Sequence, residues 1–154
     1  MIDSREQDKL DFYMKPGLEV EVDGLEVGDY AGVVNGVLLP IRIERKSIAD
    51  LFGSFSSGYE REKAKILKAQ ALNLKYILAI EGTVFEVREG HQYQKDGEVR
   101  QSKKDGLSQV RQLMTCYSKG YFDIWWCRGR REMAFMIYEY FLAQEKLLKT
   151  GGGK

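Results

Sequence analysis

In residues 41–46 of the chain, IRIERK, an extended strand would place Ile41 and Ile43 on one side and the charged Glu44 and Lys46 on the other. Glu44 and Lys46 lie two positions apart in this run, so in an extended strand both side chains project from the same side. Asp29 precedes a predicted hairpin and can approach that face from the partner strand. Carboxylates bind hard divalent cations, and a lysine can position a nucleophile or offset developing charge. These three residues together suit metal-assisted phosphodiester hydrolysis.

Spacing alone does not separate this chemistry from an ordinary solvated face, in which acidic and basic residues form cross-strand pairs. The wider motif is more specific. GD at 28–29 is followed by ERK at 44–46 and, three residues later, by Asp50. This GD…ERKxxxD pattern resembles the nuclease signature of the XPF/Hef family of structure-specific DNA endonucleases, a branch of the PD-(D/E)xK restriction-endonuclease-like folds.

Three further segments are similar to that family in the same order along the chain. Residues 2–6, IDSRE, resemble its D-x-R-E motif at the end of the first strand. Residues 48–54, IADLFGS, resemble the segment after ERK, and residues 76–82 resemble a later strand that ends in Ile-Glu-Gly. The resemblance covers residues 1–82 well and implies a restriction-endonuclease-like domain with nuclease activity.

The resemblance also implies roles for individual side chains. The metal ligands and the acids that join or support them would be Asp29, Glu44, Asp3 and Glu6. The catalytic lysine and the neighbours needed for activity would be Lys46, Arg45, Asp50 and Arg5. Because every ligand would be a hard oxygen, Mg²⁺ or Mn²⁺ is the expected cofactor.

Two of these residues have alternative interpretations. Arg45 points away from Glu44 on an ideal strand, so we expect it to orient Asp50 or a carboxylate of the first predicted helix. Asp50 also fits a capping box with Ser47, in which it would serve only the start of a helix. Glu81, at the end of a predicted strand, is expected to hold backbone or a neighbouring arginine rather than a metal ion.

Basic residues on a predicted helix are candidates for binding DNA. Arg61, Lys63 and Lys65 crowd this helix and can track phosphate groups. The interleaved Glu60 and Glu62 fit a solvated helix face equally well. The polar segment 90–104 is a further candidate, with a surface loop as the alternative.

Composition narrows the class of protein. The chain has 154 residues, 44% of them hydrophobic, which predicts one globular domain over 1–150 and a flexible Gly-rich tail over 151–154. No apolar run approaches the ~18 residues that a bilayer requires, and the charged N-terminus is unlike a signal peptide. Two cysteines and one histidine argue against a disulfide scaffold and against zinc. We expect an intracellular protein, in the cytoplasm or nucleoid, a nucleus or a virus-infected cell.

Periodicity predicts the elements that must position the site. Asn35-Gly36 between two apolar runs favours a hairpin, Ser47 favours a helix start, and 88–106 is expected to be a mobile loop. Strands are predicted at 18–22, 29–34, 37–46, 76–80 and 122–127. Helices are predicted at 5–14, from Ser47 through Phe52, and at 59–72, 107–119 and 130–148. This order predicts an α/β domain with a mixed central sheet flanked by helices.

The combined prediction is a divalent-metal-dependent DNA endonuclease acting on branched, flap or nicked DNA in repair, recombination or replication. The alternatives are a catalytically silent DNA-binding or scaffold subunit, and a resolvase or restriction-like nuclease that cuts duplex DNA. A homodimer is also predicted, because the last strand and helix are apolar on more than one side. The residues concerned are Trp125, Trp126, Phe135, Met136, Tyr138, Tyr140, Phe141 and Leu142.

Overall fold

The structure, a computed structural model, describes residues 1–12 and 19–151. Its strands are β1 (Ile2–Asp3), β2 (Val22–Asp23), β3 (Val33–Val34), β4 (Val37–Leu38), β5 (Ile41–Ser47), β6 (Lys75–Glu81), β7 (Gln92–Lys95), β8 (Glu98–Gln101) and β9 (Asp123–Cys127). Its helices are α1 (Ile48–Ser54), α2 (Tyr59–Ala71), α3 (Val84–Glu89), α4 (Gly106–Ser118) and α5 (Arg130–Gly151).

The centre of the fold is a parallel sheet in the order β5-β6-β9. Glu44 pairs in register with Leu78, and Ala79 pairs with Trp125. Tyr30 adds antiparallel bridges to Ile2 and Ile43, which make the sheet mixed. Helices connect and flank its strands, so the predicted α/β class and mixed central sheet are confirmed.

Strand β6 is buried on both faces, which explains its nearly continuous apolar sequence. Leu78 and Ile80 face a cluster formed with α1, α2 and α4, whereas Ile77 and Ala79 face a second cluster formed with the N-terminal segment and α5. Because side chains alternate along a strand, one run of residues supplies both cores. The sheet is thereby held rigidly between two layers, and it carries the site residues of β5.

Several local predictions are confirmed. Asn35 and Gly36 both have positive φ, 52° and 75°, in the turn between β3 and β4. The Ser47 hydroxyl accepts a hydrogen bond from the Asp50 N–H and caps α1. The predicted strand 37–46 is interrupted at Pro40, which has no N–H for a ladder, and β5 begins one residue later.

The predicted helix 5–14 is wrong over its described part, residues 5–12. The Asp3 carboxylate accepts a hydrogen bond from the Arg5 N–H at 2.7 Å, and the Glu6 N–H donates to the Asp3 carbonyl at 3.1 Å. These local bonds close a turn in competition with helix formation. Residues 13–14, like Leu18 of the predicted strand 18–22, lie outside the described residues, and within 19–22 only Val22 belongs to a strand.

The predicted loop over 88–106 is also wrong. Helix α3 extends to Glu89, and β7 and β8 form an antiparallel hairpin whose strand residues are all exposed. Asp96 and Gly97 turn the chain with positive φ, 54° and 76°. Asp-Gly is itself a hairpin signal, but it lies between polar rather than apolar strands, so hydrophobic patterning did not reveal it.

Candidate active site

Glu44 and Lys46 share one face of β5, as their spacing requires. The Lys46 Nζ lies 3.1 Å from the Glu44 Oε1, and the two side chains are only 9% and 4% exposed. Ion pairs on a solvated face are not buried in this way, since removing charges from water is costly unless they are closely paired. The solvated-face interpretation of this strand is therefore wrong.

Asp29 is held beside this pair by the backbone of β5. Its N–H donates to the Ile43 carbonyl at 2.8 Å, and its Oδ2 accepts a hydrogen bond from the Arg45 N–H at 2.8 Å. Gly28 allows this approach because it has a φ of 78° and because a Cβ there would lie 3.0 Å from the Arg42 Cβ. The Gly-Asp pair thus brings a carboxylate to the strand that carries Glu44.

The electrostatics of the two carboxylates differ. Burial, and after it the charge of Glu44, raises the pKa of Asp29 to about 7. Burial opposes ionisation of Glu44 as well, but the charges of Lys46 and Lys65 outweigh it and lower the pKa of Glu44. The ionised form is therefore less stable for Asp29 than for Glu44, and a neighbouring cation would stabilise it.

Helix α2 contributes two further charges to the site. Glu62 is 3% exposed, and its Oε2 lies 3.3 Å from the Lys46 Nζ. The Lys65 Nζ lies 2.7 Å from the Glu44 Oε1 and 3.8 Å from the Glu62 Oε2. Lys65 is thus engaged inside the protein, whereas Arg61 on the same helix is exposed and Lys63 is half-buried.

The sequence did not suggest Glu62 as a site residue, and Glu62 entered only as support for a solvated helix face, one of the two interpretations left open for α2. A signal for it was present, because Glu62, Ile66 and Ala69 follow the i, i+4, i+7 spacing of one helix face, and all three are buried. A charged residue in register with an apolar stripe is a candidate for a buried ion pair.

Arg45 ties the strand to the N-terminal segment. Its Nε donates to the Glu81 Oε1 at 2.6 Å, its Nη2 lies 3.1 Å from the Asp8 Oδ2, and its Nη1 lies 3.7 Å from the Glu6 Oε1. The expectation that Glu81 holds a neighbouring arginine is confirmed. Arg45 does hold carboxylates of the N-terminal segment, although that segment is not a helix. These contacts place Glu6 at the Arg45 side of the site.

Asp3 and Arg5 form a compact pair next to Asp29. The Asp3 N–H donates to the Asp29 carbonyl at 2.7 Å. The Asp3 carboxylate accepts hydrogen bonds from the Arg5 Nε at 2.9 Å, from its Nη2 at 2.8 Å and from the Leu25 N–H at 2.8 Å. The Arg5 hydrogen bond is the largest cause that lowers the pKa of Asp3 to about 2. With its oxygens so engaged, Asp3 is placed to support Asp29 rather than to bind a cation directly.

The structure does not join Asp50 to Arg45 or Lys46. Asp50 is exposed at the start of α1, and its N–H donates to the Ser47 Oγ at 3.1 Å. Arg45 pairs with Glu81, and Lys46 pairs with buried acids instead. The hydrogen bond from the Asp50 N–H to Ser47 therefore supports the interpretation of Asp50 as part of the helix cap.

The donors fit a hard divalent cation. Among residues 1–12 and 19–151, no group of three or more His, Cys, Asp or Glu side chains is arranged to hold a metal ion. Mg²⁺, however, is commonly held by one or two carboxylates together with waters and substrate phosphates. Asp29 and Glu44 are such a pair, and burial and then the charge of Glu44 raise the pKa of Asp29, so a cation bound there would favour its ionised form.

A comparison with protein families agrees with this site. The family model of the ERCC4 domain matches residues 2–140. The chain belongs to the ERCC4 domain family. ERCC4 domains are those of structure-specific DNA nucleases with a restriction-endonuclease-like fold, and ERCC4 nucleases are generally dependent on divalent metals.

The resemblance to XPF/Hef nucleases is thereby confirmed, and the ERCC4 match extends well past residue 82 into α5. A search of curated proteins gives no match. Within the described residues of this ERCC4 domain, no helix has the length and apolar character that a membrane span needs.

Proposed function

We propose that this ERCC4 domain is a divalent-metal-dependent DNA endonuclease whose active site consists of Asp29, Glu44 and Lys46. The observation that carries the proposal is the burial of Glu44 and Lys46 on one strand beside the half-buried Asp29, with the Lys46 Nζ 3.1 Å from the Glu44 Oε1. Acidic side chains that are held largely away from water beside specific charged partners are typical of a functional site.

Each side chain has a distinct part in the proposed hydrolysis. Asp29 and Glu44 would hold Mg²⁺ or Mn²⁺, which when bound would polarise the phosphate group and lower the pKa of a bound water. Lys46 directs its ammonium group at the negative charge that develops on the phosphate. Arg45 on β5 links the N-terminal segment, through Asp8, to the end of β6, through Glu81. As in the family that the motif resembles, the products would carry 5′-phosphate and 3′-hydroxyl ends.

The proposed substrate is branched, flap or nicked DNA in repair, recombination or replication. Lys63 and Arg61 on α2 are the proposed phosphate contacts outside the site. Lys65 is a weaker candidate for DNA contact, because it lies 2.7 Å from Glu44. A catalytically silent subunit is the alternative in another class, and the intact triad disfavours it.

We also propose that the domain forms a homodimer through the exposed apolar residues of α5. Trp125 packs on Tyr140 with ring centroids 5.0 Å apart, and Tyr140 packs on Phe141 at 5.6 Å, so these rings are covered within the protomer. Phe135 of the predicted set is 52% exposed on α5, and Leu147 and Leu148, 61% and 56% exposed near its end, add to the apolar surface that a partner would cover.

The decisive experiment is a panel of flap, fork, nicked, four-way and linear DNA, each incubated with Mg²⁺ or Mn²⁺. We expect cleavage of at least one branched or nicked substrate, no cleavage in EDTA, and none by Glu44→Gln. Binding without cleavage under every condition would favour the silent subunit. Cleavage confined to linear duplex DNA would favour a restriction-like nuclease.

A further inference from the structure

Helix α2 brings a buried carboxylate to Lys46 from outside the strand that carries the motif. The Glu62 side chain is 4% exposed, although the helix around it is strongly charged and the nearby Glu60 is exposed. Burying a charged side chain at this depth is unfavourable unless a partner compensates for the lost hydration. The partner is Lys46, whose Nζ lies 3.3 Å from the Glu62 Oε2.

The Lys46 ammonium group therefore lies between two acids on different elements. Glu44 on β5 is 3.1 Å from it, and Glu62 on α2 is 3.3 Å from it. A lysine has a flexible stem and three donors, so one contact leaves its ammonium group free to move. Two contacts from different directions restrict it to one position.

The two acids differ in what else they must do. Glu44 is a proposed metal ligand, and a cation bound to its carboxylate would compete with Lys46 for the same oxygens. Glu62 belongs to another element, so its contact with Lys46 would not be lost if Glu44 bound a cation. The ammonium group would then stay in place.

We propose that Glu62 is a positioning residue that holds Lys46 while Glu44 binds the metal ion. This inference rests on the proposed nuclease function. Lys65, 35% exposed and 2.7 Å from Glu44, completes a set of two acids and two bases whose charges balance. It also gives Glu44 a cationic partner that can leave towards solvent.

The test is a double-mutant cycle read by single-turnover cleavage on the best substrate of the panel. Glu62→Gln is expected to slow cleavage about 10- to 100-fold, as loss of a supporting contact does. In a Lys46→Met background the same change is expected to alter the residual rate by no more than about twofold, because the residue it positions is gone. Glu60→Gln, the same charge change at an exposed position of α2, is the matched control and should cleave normally.

Two binding measurements complete the test. DNA affinity and Mn²⁺ affinity of Glu62→Gln, the latter by calorimetry, are expected to stay within about twofold of the wild type. A large loss of Mn²⁺ affinity would make Glu62 a ligand and overturn the positioning role. Equal slowing by Glu62→Gln with and without Lys46 would also overturn it, since that is the result of a general structural defect.

A second variant covers the case in which Glu62→Gln does not fold. Glu62→Asp keeps the charge but sets it one methylene further from Lys46, and its rate is expected to fall below that of the wild type only when Lys46 is present. Wild-type rates for this variant and for Glu62→Gln would exclude the role. A wild-type protein that cleaves no DNA would instead refute the nuclease proposal itself, so the two failures are distinguishable.

Discussion

The Asp29 carboxylate accepts a hydrogen bond from the Arg45 N–H at 2.8 Å, across 16 positions of sequence. This bond fixes Asp29 against the strand between Glu44 and Lys46, so the acid does not depend on the position of a flexible loop. One Asp29 oxygen is committed to the backbone. The geometry of the acid pair therefore belongs to the folded sheet and is expected to exist before any cation binds.

Removing either carboxylate is expected to abolish cleavage without unfolding the protein. Asp29→Asn and Glu44→Gln keep the shape of each side chain but lose the charge that would hold the cation. The measurements are product formation with Mg²⁺ or Mn²⁺ and far-UV circular dichroism. Turnover at the wild-type rate by either variant would disprove the assignment of the site.

Asp29→Asn is also expected to stabilise the metal-free protein, and more at alkaline pH. The folded protein has a pKa of about 7 for Asp29, against an ordinary value of 3.8. Between these values the unfolded chain loses a proton that the folded state retains, so the free energy of unfolding falls as the pH rises through this window. Asparagine has no such proton and still offers an oxygen to the Arg45 N–H.

The check is the Tm of both proteins in EDTA at pH 5 and pH 8. The gain in Tm from Asp29→Asn should be larger at pH 8 than at pH 5. An equal gain in Tm at pH 5 and pH 8, or a lower Tm at pH 8, would show that the folded protein does not disfavour ionisation of Asp29.

Lys46→Met is expected to separate chemistry from binding. Loss of a group that stabilises developing charge costs about 10²- to 10³-fold in rate, whereas one phosphate contact among several contributes little to affinity. Single-turnover cleavage and fluorescence anisotropy with the same DNA measure the two quantities. If affinity falls in parallel with rate, Lys46 is a binding residue.

Asp50→Asn is expected to affect the start of α1 and not the reaction. The Ser47 Oγ accepts its hydrogen bond from the Asp50 backbone, which the substitution keeps, so the loss is limited to the favourable charge at the helix N-terminus, at most about 1 kcal/mol. Thermal unfolding and cleavage rate are measured side by side. A large loss of activity at unchanged Tm would instead link Asp50 to the catalytic site.

Sedimentation equilibrium tests the homodimer. At micromolar concentration we expect the mass of two protomers, because Leu147 and Leu148 expose apolar surface on α5. Replacing both residues with glutamine should give a monomer that remains folded by far-UV circular dichroism and whose Tm no longer depends on protein concentration. A wild-type mass of one protomer would rule out the dimer at this concentration.

Features that depend on neighbours in sequence could be predicted from it. The shared face of Glu44 and Lys46 follows from strand periodicity, and the Asn35-Gly36 turn and the Ser47 cap follow from local backbone chemistry. The inward direction of Glu62 follows from its helical register with Ile66 and Ala69, but its pairing with Lys46 depends on how α2 packs on the sheet, which no local pattern specifies. The predicted helix at 5–14 failed over residues 5–12 for a different reason. Its apolar spacing suggested a helix, but local hydrogen bonds to Asp3 form a turn instead.

The β7–β8 hairpin has a consequence for how this protein can be modified. Its ends meet where the Ser102 N–H donates to the His91 carbonyl at 2.8 Å, and all of its strand residues are exposed. Little of the core therefore depends on what lies between those two positions. Residues 92–101 form an exchangeable module, into which a fluorophore, an affinity tag or a recognition peptide can be inserted at the Asp96-Gly97 turn while the sheet that carries the acids stays intact.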